Sequence, residues 1–157
     1  SDKKFHKYMN MKNGEVRNLN YFFFLKKFYA FLINSPKMEK FIKNFTNTNG
    51  YKLYSIAASI AKEKSYLIPH FDTVKSDINT EAMLNFIFFI DGADNPIDSG
   101  GTGIYSDNEF KTPLLIPKSL KNSAIVYNSK NNFYHGFNIM KKNTFRHAIT
   151  FQFRLET

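Results

Sequence analysis

A metal ion in this chain must be held by histidine and carboxylate side chains, and few of these are spaced for the task. The segment YLIPHFDTV (66–74) sets His70 and Asp72 two residues apart inside an apolar stretch. On a strand, residues i and i+2 project from the same face. His70 and Asp72 then share a face, and Phe71 takes the other. Two such ligands at a strand end can bind one ion, although H-x-D alone is a weak signal that more often marks a core histidine beside a turn aspartate. A third candidate, His135, lies in NNFYHGFNI near the start of another strand-like run. Two histidines and one carboxylate make the facial triad of non-haem Fe(II) sites, which leaves coordination positions open for substrate and oxygen. The bland alternative for His135 is a turn histidine.

TFRHAITFQF supplies a different kind of group. Arg146 stands inside a largely apolar strand-like run. A desolvated, unpaired charge is costly, so an arginine there calls for an anionic partner. Its planar fork grips carboxylates in bidentate fashion. An arginine at a barrel rim, paired with a local aspartate, is the competing reading. His147 is a rival metal ligand, but alternation puts Arg146 and His147 on opposite faces, so only one can look into a barrel.

Composition narrows the chemistry. The chain has 157 residues and no cysteine, which excludes disulfides, zinc–thiolate sites and iron–sulfur clusters. The histidines are His6, His70, His135 and His147, and His6 sits in a charged N-terminal stretch that reads as solvent-exposed. Length and a hydrophobic content of 43% fit one globular domain over residues 1–157. The apolar runs YFFFL and FIFFI are too short to span a bilayer. YFFFLKKFYAFLI (21–33) is interrupted by Lys26 and Lys27 and is followed by no small-residue cleavage site. No membrane span or secretory signal is read, and a cytoplasmic location is expected.

The net charge of +9 invites a nucleic-acid reading, but its distribution opposes it. Residues 1–64 hold 13 Lys/Arg against 4 Asp/Glu, whereas residues 65–157 hold 9 of each. The surplus therefore belongs to the N-terminal part and reads as a solvated basic face, with a patch for an anionic partner as the alternative. Nucleic acid is not an expected partner.

The elements that must position these groups fall into two textures. Over residues 15–46, Leu19, Phe22, Phe23, Leu25, Phe28, Tyr29, Phe31 and Leu32 recur near helical spacing between lysines. In NSP (34–36), Ser35 is placed as an N-cap and Pro36 as the first helical residue, opening a helix over MEKFIKNF. TNTNG (46–50) is the boundary. Beyond it come eight strand-like runs: YKLYSIAASIA, SYLIPHFD, LNFIFFI, TGIY, TPLLIP, SAIVYN, YHGFNI and TFRHAITFQFRL. DGADNP, SGG and IPKSLKNS punctuate them. The expected fold class is mainly β with N-terminal helices (α+β), in which residues 1–48 are helical and 49–157 form an antiparallel jelly roll or small barrel. Gly100 and Gly101 read as backbone devices ahead of a strand. DGADNPID lacks the spacing of an EF-hand loop, and GGTGIYSDN carries Tyr105 where a calcium repeat needs Asp, so calcium is set aside.

His70-x-Asp72, His135, and Arg146 eleven residues later together resemble the Fe(II)- and 2-oxoglutarate-dependent oxygenases, in particular their small prolyl-hydroxylase-like branch. LNFIFFIDGADNPIDSGGTGIY resembles that family's strand, acidic turn and Gly-Gly-Thr approach to the next strand. PKSLKNSAIVYNSKNNFYHGF resembles its run toward the distal histidine. The resemblance covers about residues 51–155 and implies a double-stranded β-helix (jelly-roll, cupin-like) core. It also implies Fe(II) held by His70, Asp72 and His135, with 2-oxoglutarate as cosubstrate and its far carboxylate on Arg146. The implied reaction consumes O2 and releases succinate and CO2 as a substrate is hydroxylated.

Departures from the family pattern refine this expectation. Ala148 stands where many members place a serine against the cosubstrate, while Thr150 is two residues further on the same face. Tyr54, Tyr66 and Tyr105 are all candidates for the family's tyrosine contact. Asp72 fills the position that is a small residue in related halogenases, which favours hydroxylation. Gln152 replaces the second arginine of the nucleic-acid dealkylases, and Arg154 comes two residues later. The alternatives are a non-catalytic jelly-roll binding module acting through Lys26, Lys27, Lys40 and Lys43, and a cupin-type metalloenzyme that does not use 2-oxoglutarate. The substrate, a small molecule or a peptidyl side chain, is not specified. Its recognition is expected from loops 73–84 and 91–102.

Overall fold

The computed structural model describes residues 7–12, 15–16, 27–28, 30–32, 34–48, 50–70, 83–129 and 133–156. Two antiparallel sheets face each other. Strands β1 (Lys7–Lys12), β2 (Glu15–Val16), β3 (Gly50–Lys62), β5 (Met83–Gly92), β8 (Ser123–Asn128) and β10 (Phe145–Glu156) form the larger, in the order β2-β1-β3-β10-β5-β8. The smaller sheet takes β4 (Leu67–His70), β6 (Gly103–Tyr105), β7 (Pro113–Leu115) and β9 (Tyr134–Phe137), in the order β4-β9-β6-β7. From β3 onward the chain passes repeatedly from one sheet to the other. This winding makes β10 the neighbour of β3, and β9 the neighbour of β4, across long sequence separations.

The eight runs read beyond residue 50 all appear as strands, because turn residues bound each of them. β5 shows why one of them lacks alternation. Its even residues Leu84 and Phe86 join Ile149, Phe151, Phe153 and Leu155 of β10 and Leu53 and Ile56 of β3 in an outer core. Its odd residues Ile87 and Phe89 join Ala148, Ile104, Leu120 and Ile125 between the sheets. A strand buried on both faces reads as a continuous apolar run.

Helix α1 (Pro36–Thr46) closes the outer core with Ile42. The Ser35 side chain accepts from the Met38 N–H at 3.4 Å, and Pro36 sits at the start, as the sequence pattern predicts. The helix ends on Asn47 in the left-handed region, whose N–H donates to the Lys43 carbonyl. Phe41 lies 5.5 Å from Phe86, pinning the helix to the large sheet.

One expectation is corrected in the N-terminal part. Residues 27–28 and 30–32 are helical, but Glu15–Val16 is a strand rather than the start of a helix, and Lys7–Lys12 pairs along β3 from Ile60 to Ser55. The physical reason is the long edge of β3, whose N–H and C=O groups need partners on the side away from β10. Among the described residues, no helix is long and apolar enough to cross a membrane.

Candidate metal centre

The small sheet brings together two histidines that are far apart in sequence. His70 is the last residue of β4, His135 is the second of β9, and the two are register partners. Their ring centroids are 4.2 Å apart. Gly136 permits the approach, since a Cβ there would stand 2.5 Å from the Leu67 carbonyl oxygen. His135 also pairs with Ile104 of β6, whose side chain belongs to the core between the sheets. The histidine pair therefore looks inward, and His135 is only 5% exposed.

The His70 ring is oriented from below. Its Nδ1 lies 2.8 Å from the Ile68 carbonyl oxygen. A carbonyl oxygen can only accept, so Nδ1–H is the donor of this contact, and Nε2 is the nitrogen on the other side of the ring. Metal-binding histidines are held in this way, with the second ring nitrogen on a carbonyl or carboxylate. Imidazole nitrogens are donors that suit divalent transition metals. Asp72 lies outside the described residues. Among those described, no three His, Asp or Glu side chains gather into a ligand group. His6 is likewise outside the described residues, and His147 packs on Phe145, on the face of β10 turned away from the pair.

Arg146 is 5% exposed and points between the sheets. Its Nη1 donates to the Gly100 carbonyl at 2.6 Å and to Thr102 Oγ1 at 2.8 Å. Gly100 adopts φ 76°, which turns its carbonyl toward the guanidinium just ahead of β6. The guanidinium carbon lies 4.5 Å from the Phe137 ring centroid. These contacts fix the plane of a group able to grip a carboxylate, two residues along β9 from His135. Ala148, Thr150, Gln152 and Arg154 follow Arg146 on the same face of β10.

A tyrosine beyond the three weighed from sequence lies against the histidine pair. Tyr127 of β8 lies 5.1 Å from the His135 ring. Alternation in SAIVYN places Tyr127 on the face of Ile125, but sequence alone does not reveal that β9 lies across from it. Tyr54 stacks instead on Arg154 at 4.4 Å, and Tyr66 is exposed. Tyr105 packs edge-on to Phe110, where burial first, and the charge of Asp107 second, push its phenol pKa up.

No protein-family sequence model matches the chain, and no curated protein sequence matches it significantly. Solved structures do match in fold. An oxidoreductase of the 2OG-Fe(II) oxygenase family from Burkholderia pseudomallei aligns over 95% of this chain and 67% of its own, at 12% identity and a TM-score of 0.69. A Pseudomonas putida prolyl-4-hydroxylase aligns over 97% and 73%, at 12% identity and a TM-score of 0.60. HygX from Streptomyces hygroscopicus, solved with nickel, 2-oxoglutarate and hygromycin B, aligns over 82% and 64%, at 10% identity and a TM-score of 0.55. The chain thus has the fold of structures from the 2OG-Fe(II) oxygenase family, and it spans about two thirds of their length.

Proposed function

We propose that this chain is an Fe(II)- and 2-oxoglutarate-dependent dioxygenase that hydroxylates a small molecule or a peptidyl side chain. The observation that supports it most is the meeting of His70 and His135 in one register pair, with Arg146 fixed on the facing sheet. In this reading β3 to β10 are the eight strands of a double-stranded β-helix, residues 49–157 are the catalytic core, and residues 1–48 are its outer support. His70, Asp72 and His135 hold the metal. Bound Fe(II) supplies the oxygen chemistry by which O2 and 2-oxoglutarate become succinate and CO2 while one oxygen atom enters the substrate.

The chain's own residues position and exclude. The Ile68 carbonyl holds His70 with Nε2 as the ligand nitrogen. Arg146, its plane set by Gly100 and Thr102, takes the far carboxylate of 2-oxoglutarate. Phe89, Ile104 and Phe137 keep that end dry, so the charge pair acts at low dielectric. Thr150, two residues further on the same face, is the hydroxyl on offer where Ala148 has none.

The test is succinate formation from 2-oxoglutarate by the Fe(II)-loaded protein under air and under argon, beside His135→Ala. Oxygen-dependent succinate that disappears in the variant is the expected result. Succinate at the same rate in the variant would remove the two histidines from the reaction.

A further inference from the structure

The interior face of the large sheet carries a polar row that neither the metal ligands nor Arg146 accounts for. Tyr127, Asn85, Gln152 and Ser55 are successive register partners across β8, β5, β10 and β3. Ser55 Oγ–H donates to Gln152 Oε1 at 2.7 Å, and Gln152 Nε2 donates to Asn85 Oδ1 at 2.9 Å. The relay runs one way and ends on the Asn85 amide nitrogen, a two-proton donor. Asn85 is 0% exposed, and its Nδ2 has no acceptor among the described residues. A buried donor without an acceptor is destabilising, and such a group is a place where a ligand can supply what the fold does not. The row begins at the site itself, because Tyr127 lies against the His135 ring.

Distance along β10 separates this row from the carboxylate anchor. Arg146 and Gln152 are six residues apart, about 20 Å of extended strand. A five-carbon dicarboxylate reaching from Arg146 to the histidines covers only part of that length. Two residues further, on the same face, Arg154 lies over the Tyr54 ring at 4.4 Å and adds a cation beside the row.

We propose that Asn85, oriented by Gln152 and Ser55, is a specificity residue for the substrate to be oxidised: its Nδ2 donates to a carboxylate or carbonyl oxygen of that substrate and holds it beside the histidine pair. Arg154 favours the carboxylate. The proposal rests on the oxygenase reading and names the substrate class that reading lacks.

The test uses side-chain amide NMR on the 15N-labelled full chain loaded with Zn(II), the Asn85 pair being assigned through Asn85→Ser. 2-Oxoglutarate is added first, then acetate, acetamide or ethylammonium as probes. Saturable shifts of the Asn85 amide with acetate, smaller ones with acetamide and none with ethylammonium are expected. Gln152→Ala should weaken acetate roughly tenfold, the loss of one orienting hydrogen bond near a charged group. An Asn85 amide that saturates with 2-oxoglutarate alone would assign it to the cosubstrate and overturn the proposal, as would the absence of any acetate shift. The oxygenase reading has its own signal, the Arg146 Nε–H response to 2-oxoglutarate. If that response is missing, the acetate arm is read with zinc alone.

Discussion

The two faces of the large sheet are made from the same strands and do opposite work. On the outer face, Phe86, Ile149, Phe151, Phe153 and Leu155 meet Leu53, Ile56 and the underside of α1, with Phe153 fully buried. On the inner face, the alternate residues Arg146, Gln152, Asn85 and Ser55 are polar, and they hydrogen-bond to one another or to the loop ahead of β6. Period-two alternation lets β10 put Ile149, Phe151, Phe153 and Leu155 on one face and Arg146 and Gln152 on the other. The two functions are therefore separable by mutation, even between adjacent residues.

The outer face gives the largest expected effect. Phe153→Ala removes a fully buried ring and should cost about 3–5 kcal/mol of unfolding free energy in denaturant titrations. The affinity of the folded fraction for a divalent metal should stay within about twofold, because sites on opposite faces act independently. Loss of metal affinity without loss of stability would break the division between faces.

His135→Ala is the mirror experiment. Removing an outer partner of a metal ligand typically costs 10–100-fold in affinity, so removing the ligand itself should exceed about 100-fold. Calorimetry with Mn(II) or Fe(II) under argon reads this, while the unfolding midpoint should hardly move. A change below tenfold would mean that the histidine pair is packing and not a centre.

Gly136→Ala joins the two effects. Its added methyl would press on the Leu67 carbonyl and part β4 from β9. A stability loss of about 1–3 kcal/mol is expected from overpacking, together with weaker metal binding as the rings separate. Stability loss with unchanged affinity would show that the rings need not meet.

The smallest effect lies on the far side of the small sheet. Burial, then Asp107, raise the Tyr105 pKa above its ordinary value near 10. The folded state holds that proton more tightly than the unfolded state. The contribution is therefore complete below the unfolded value and is lost as pH rises through the folded one. Unfolding midpoints should decline more steeply above pH 10 in the wild type than in Tyr105→Phe; identical alkaline slopes would contradict this.

Much of this was legible in sequence because it is local. Gly, Pro, Asn and Ser punctuate the strands after residue 50, Ser35 and Pro36 open α1, and alternation alone separates Arg146 from His147. Other features depend on which strands become neighbours. Ser55 bonds to Gln152 across 97 residues, and Gln152 to Asn85 across 67. Tyr127 meets His135 only because β8 and β9 lie in facing sheets. Backbone pairing of residues 7–12 to the β3 edge leaves no side-chain signature, so the helical spacing of the nearby phenylalanines dominated the reading. Gly136 serves close approach between strands, a role that depends on which strand becomes the neighbour of β9.

The central claim is that the histidine pair and Arg146 hold one cosubstrate from its two ends. Calorimetric titration of 2-oxoglutarate into the anaerobic protein, with and without Fe(II), tests it most directly when run beside Arg146→Leu. The account predicts binding that requires the metal and weakens about 10–100-fold in the variant, the loss of a bidentate charged contact. Binding of equal strength without metal, or unchanged by Arg146→Leu, would contradict it.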